Sequence, residues 1–114
     1  MDELEGEQTT NLEAAQVSVD QWQEESGAIV VRISGEVDMS NADILRETID
    51  PIAASDVRHL IFDLGGLEFI DSSGLTVLLA AAQKIPQVQL RDPSAIVRRI
   101  VEVTGLAEVL PTEP

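Results

Sequence analysis

The sequence has no cysteine and no tyrosine, one tryptophan, two phenylalanines and a single histidine. Without cysteine there can be no disulfide, no thiolate metal site and no thiol redox sensor, and the expected setting is a reducing one, the cytoplasm. With aromatics at only 3% of residues, the core has to be built from Leu, Ile, Val and Ala. Basic side chains are scarce as well: 7 Lys and Arg stand against 21 Asp and Glu, a formal net charge of -14. Such a chain repels phosphate backbones and anionic bilayers at long range, which argues against nucleic acid or a membrane surface as partner. The imbalance is concentrated at the start, where residues 1–27 hold eight acids and no Lys or Arg. A long apolar run is missing too. The longest, Leu75 to Ala82, is broken by Thr76 and falls far short of the roughly 20 residues of a membrane-spanning helix, and the acidic N-terminus lacks the basic start of a signal peptide.

What is present reads as one domain, since 114 residues can bury one core but not two. Residues 1–16 are acidic and too poor in apolar side chains to offset the entropy of ordering, so they are expected to form a flexible tail, with the domain proper at 17–114. Val17, Val19 and Trp22, then a turn at Glu24 to Gly27, then Ala28 to Ser34 predict a β-hairpin. Ser40-Asn41-Ala42-Asp43 has the spacing of a capping box, with Asp in place of Glu, and Leu45, Ile49, Ile52 and Ala53 continue at helical spacing; Pro51 should end or kink that helix near Asp50. Leu60 to Leu64 reads as a strand covered on both faces and therefore the sheet centre. A buried helix from Leu75 to Lys84, a short strand at Val88 to Leu90, and a helix opened by Pro93-Ser94 follow. The last helix has apolar positions Ile96, Val97, Ile100 and Val101 and is stopped by Gly105. The order ββαβαβα makes this an α/β domain: a small, mixed, mostly parallel sheet packed against helices.

Catalytic chemistry is thinly represented. His59 begins a strand, where an edge position fits better than a general base, and no second His or Cys can join it on zinc. Asp63 reads as a solvated strand-end carboxylate, without the carboxylate cluster that holds a hard cation. No Gly-rich phosphate loop occurs, and Ile70-Asp71-Ser72-Ser73-Gly74 lacks the first glycine of a nucleophile elbow. No enzyme activity, cofactor or metal is expected. The distinctive feature is the strand-to-helix junction. Asp71, Ser72 and Ser73 can each cap a helix, which is more than one cap requires. Ser73 is the natural cap, which leaves the Ser72 hydroxyl at a helix N-terminus, a place suited to carrying a phosphate.

Three segments give a more specific reading. Gly35-Glu36-Val37-Asp38, Phe69-Ile70-Asp71-Ser72-Ser73-Gly74-Leu75 and Val103-Thr104-Gly105-Leu106 make residues 17–110 resemble the bacterial anti-sigma factor antagonists, which are stand-alone STAS domains. The resemblance implies a STAS-like fold. It further implies binding, in the unphosphorylated form, to an anti-sigma factor that is also a serine kinase, which releases a sigma factor; phosphorylation of the serine after the central aspartate, here Ser72, would switch binding off, and a phosphatase would reset it. By the same resemblance Asp71, Ser72, Ser73, Gly74, Leu75 and Thr76 would form one wall of the docking site, and Asp38, Met39, Ser40 and Asn41 the other. Thr76 stands where the family often has glycine, Ile85-Pro86-Gln87 replaces a Gly-containing turn, and Pro114 comes before the final helix of many members, so part of the sheet or the last helix should be less covered. The competing reading of the same resemblance is an accessory or scaffold subunit of a transport or signalling complex, never phosphorylated; an apolar patch away from Ser72 would favour it.

Overall fold

The computed structural model describes residues 16–114, so the expected tail at 1–16 lies, except for Gln16, outside the described residues. Two strands open the chain, β1 (Val17–Gln23) and β2 (Ile29–Val37), paired antiparallel around the turn. Gly35 sits at φ 98°, a region that L side chains avoid, and a Cβ there would stand 2.1 Å from the Gln16 carbonyl oxygen. Only glycine lets the chain before β1 approach so closely, and the Glu36 N–H donates to that carbonyl at 2.8 Å.

Helix α1 (Ala42–Ala53) leads to β3 (His59–Ile70), α2 (Ser72–Lys84) to β4 (Gln87–Arg91), and α3 (Ala95–Val103) follows. The sheet order is β1-β2-β3-β4, with β2, β3 and β4 parallel. Both crossovers advance in one direction, and right-handed crossovers of that kind set their helices on the same face. One core results, in which Val31, Ile33, Phe62 and Leu64 of the sheet meet Leu45, Ile49, Leu75, Leu78, Val97 and Val101 of the helices. On the other face Ala28, Val30 and Ile61 form a small second cluster against half-buried Trp22, and the Arg32 guanidinium lies 5.0 Å from the tryptophan ring centre.

Several local expectations are corrected. Pro51 lies inside α1, because it falls in the last turn and the carbonyl it leaves without a partner belongs to exposed Glu47, which water can satisfy. The capping box does not form: the Ser40 hydroxyl donates to Asp38, and Asp43 pairs with Arg46 at 2.6 Å. The central strand runs past Leu64 to Ile70, so Asp63 is interior to it rather than at its end. Asp63 is buried, 3.3 Å from Arg32, its register partner, and accepts the Gly65 N–H at 3.0 Å. Ile96, expected in the core face of the last helix, is 60% exposed.

The chain's last residues cover part of the β4 edge. Leu90 donates to the Pro111 carbonyl and accepts from the Glu113 N–H, both at 2.8 Å. Arg91 ties this segment down by bonding Glu113 and reaching Glu24 at 2.7 Å. The bond from Arg91 holds the Glu24 carboxyl below its ordinary range, and Glu24 and Glu113 together raise the guanidinium's affinity for its proton.

Candidate functional site

Strands β2 and β3 end level with each other, Val37 opposite Ile70. Segments far apart in sequence therefore meet at the carboxyl edge of the sheet, where open α/β folds gather their sites. The link is direct: the Asp71 N–H donates to the Val37 carbonyl at 3.1 Å.

The first wall is a tight loop after β2. The side chain of Asn41, 6% exposed, clamps it from beneath, accepting the Asp38 N–H at 3.0 Å and donating to the Glu36 carbonyl at 2.9 Å. Above it the Asp38 carboxylate accepts the Ser40 hydroxyl and the Ser40 N–H, which hold its carboxyl below the usual carboxylate range. The loop thus presents Asp38, Met39 and Ser40, while Asn41 supports them. Met39 is 82% exposed, far more than a methionine used for packing.

The second wall is the start of α2. Asp71 occupies the N-cap position with an extended backbone, and its carboxylate accepts the N–H groups of Ser73 at 2.8 Å and Gly74 at 3.3 Å. Asp71 is therefore the cap, not Ser73: its oxygen reaches two donors at once, and a negative charge is favoured at the positive end of the helix dipole. Ser72 is exposed, and its hydroxyl makes no hydrogen bond among the described residues, while its carbonyl accepts the Thr76 hydroxyl at 2.8 Å. Thr76 is exposed on the next turn; Gly74 and Leu75 are buried and seat the helix instead of facing solvent. Asp71→Ala should cost about 1 kcal/mol, the usual value of an N-cap side chain, read as a lower urea midpoint at constant m-value.

Two residues that sequence reasoning missed belong to this edge. Phe69, the partner of Glu36 in the register, and Ile44, in the first turn of α1, are both 44% exposed. The signal for Phe69 was strand alternation: with Ile70 turned into the core, its neighbour must face the other way.

The structure does not bring His59 to Ser72. His59 is the first residue of β3 and Ser72 lies two past its last, so the two stand at opposite ends of a strand that at roughly 3.3 Å per residue is about 35 Å long. The His59 ring nitrogen Nε2 is instead 2.7 Å from Gln89. Among the described residues no group of three or more His, Cys, Asp or Glu could hold a metal ion, and no helix is long and apolar enough to cross a membrane.

A four-stranded mixed sheet with its helices on one face, and an exposed serine opening the helix that leaves its second parallel strand, is the architecture of a STAS domain. The chain belongs to that family: the STAS domain model matches residues 21–114. It is 33% identical over 90 residues to an anti-sigma F factor antagonist of Paenibacillus polymyxa, a match covering 75% of this chain and 77% of that protein. It is 34% identical over 84 residues to the anti-sigma-F factor antagonist RsfB of Mycobacterium tuberculosis, covering 71% of this chain and 69% of the other. The crystal structure of an anti-sigma factor antagonist from Mycobacterium paratuberculosis superposes with a TM-score of 0.79 at 29% identity, over 87% of this chain and 86% of that one.

Proposed function

We propose that this chain is an anti-sigma factor antagonist. Unphosphorylated, it docks onto an anti-sigma factor with serine kinase activity and so releases a sigma factor; phosphorylation of Ser72 ends the docking, and a phosphatase restores it. It works in the cytoplasm, without catalysis or cofactor of its own. The observation that carries the reading is the Ser72 hydroxyl, which makes no hydrogen bond among the described residues: Asp71 caps the helix through the N–H groups of Ser73 and Gly74, and Ser72 stands exposed where α2 begins, at the same sheet edge as the loop of Asp38 to Asn41. The relatives named anti-sigma factor antagonists support it. The test is to mix the purified protein with kinase-type anti-sigma factors and ATP and measure intact mass. A gain of one phosphate, placed on Ser72 by peptide mass spectrometry, is expected; no phosphate with any of them sinks the proposal.

The docking surface should be read most strongly by its exposed apolar members. Met39→Ala and Phe69→Ala are each expected to weaken partner binding tenfold or more, about 1.4 kcal/mol, as anchors of an interface do. Stability should move by less than about 0.5 kcal/mol, since both side chains are exposed. Calorimetry of binding and urea titration of the free protein separate the two effects. The reading as an unphosphorylated scaffold subunit has one observation in its favour, the apolar surface of α3, away from the α1–α2 edge.

A further inference from the structure

Asn41 occupies the N-cap position of α1, yet its side chain makes no capping hydrogen bond. Its amide turns the other way, into the loop before the helix, where it is buried and uses both ends. Oδ1 accepts the Asp38 N–H at 3.0 Å, and Nδ2 donates to the Glu36 carbonyl at 2.9 Å. Asparagine is among the best caps, and here that capacity is given up for a bridge across the loop.

The two groups it grips belong to the peptide units on either side of Val37. A trans peptide unit is planar, with its N–H and C=O pointing in opposite directions. Holding the Asp38 N–H from one side therefore aims the Val37 carbonyl to the other, and that carbonyl accepts the Asp71 N–H at 3.1 Å. Asp71 in turn caps α2 through the N–H groups of Ser73 and Gly74. A continuous run of hydrogen bonds thus leads from the Asn41 amide, through the backbone of buried Val37, to the cap beside Ser72, and bonds in such a chain strengthen one another.

We propose that Asn41 is a positioning residue for the phosphorylation of Ser72: by fixing the peptide units around Val37, it joins the Asp38 to Ser40 loop and the first turn of α2 into one rigid body. The proposal rests on the reading of Ser72 as the phospho-acceptor. Rigidity matters because group transfer depends on placement. A partner that grips the loop at Met39 fixes the serine only if the two walls keep their spacing, and a misplacement of about 1 Å costs about a hundredfold in rate. Asn41 does this from beneath the loop, without meeting the partner. A residue that merely capped α1 would be replaceable, since Asp and Ser cap about as well as Asn. Neither restores the bridge: a carboxylate has no donor for the Glu36 carbonyl, and a serine hydroxyl is too short to reach both groups.

Amide hydrogen exchange in the free protein reads the relay with no partner present. In Asn41→Ser the Asp71 N–H should exchange tenfold or more faster relative to Leu60, Ile61 and Phe62, which are paired on both sides at the sheet centre and report global unfolding. Phosphorylation reads its use. With a kinase-type anti-sigma factor and ATP, kcat for Ser72 should fall at least tenfold, while Asp43→Ala, a change in the same first turn of α1 but outside the bridge, should leave kcat within twofold. Asn41→Asp should show both changes and carries the test if the serine variant does not fold. Unchanged Asp71 exchange overturns the relay, and faster exchange with an unchanged kcat overturns the positioning role. If no kinase modifies the parent chain, the Ser72 reading fails and the positioning role falls with it, an outcome told apart from the other two by the parent chain itself.

Discussion

Ser72→Asp, or phosphate on Ser72, should weaken docking to the anti-sigma factor several-hundred-fold while barely changing the stability of the domain. The separation follows from the geometry of the cap. A phosphate brings roughly -1.5 to -2 charges to the end of a helix where negative charge is tolerated. Yet the N–H groups of Ser73 and Gly74, which would otherwise embrace it, are already taken by Asp71. The modified side chain therefore gains little from the fold, remains in solvent, and sits next to a carboxylate of its own sign. Burying that dianion against a partner costs about 3 to 4 kcal/mol, which is the several-hundred-fold loss. Ser72→Ala should dock and resist phosphorylation, and Ser73→Ala should still accept phosphate, because the Ser73 side chain is not the cap. A Ser72→Asp protein that binds as tightly as the unmodified one would refute the switch.

The order of elements was legible because its signals are local. Turn residues punctuate alternating strands, Pro86 and Gly105 close helices, and Leu60 to Leu64 announces a strand covered on both sides. The junction Asp71-Ser72-Ser73-Gly74 was legible for the same reason. What escaped depends on long-range partners. Asp63 became a buried residue only because Arg32, 31 positions earlier, lies opposite it in the register. Asn41 looks like a surface loop residue until its amide is seen closing the loop between Glu36 and Asp38. Exposure is equally non-local: nothing in Ile96-Val97 tells which of two adjacent apolar residues the sheet will cover. The edge proposed for docking follows the same rule: the central motif opens on Phe69, but nothing local says that it or Ile44 will stay accessible, which depends on what the rest of the chain leaves open.

Gly74→Ala should damage both the fold and the site, although alanine is the better helix former by about 1 kcal/mol. The reason is how closely α2 sits on the strand ends. A Cβ at Gly74 would stand 2.7 Å from Cγ1 of Val37 and 2.7 Å from Cγ1 of Ile70. Both side chains are essentially inaccessible to solvent, so neither can swing aside, and the helix must lift instead. Overpacking of this kind costs about 1 to 3 kcal/mol, which exceeds the propensity gain. Lifting the first turn also draws Asp71 away from the Val37 carbonyl and moves Ser72 relative to Met39. Phosphorylation should slow and partner binding should weaken together with stability, unlike the Ser72 variants. Removing the obstruction should restore part of the loss: Gly74→Ala combined with Val37→Ala should be less damaging than the sum of the two single changes, by about 1 kcal/mol in a double-mutant cycle, as expected for residues in contact. Urea midpoints at fixed m-value give the comparison. If Gly74→Ala proves as stable as the parent or more so, helix propensity outweighs packing at this junction, and the close seating of α2 is not what positions the serine.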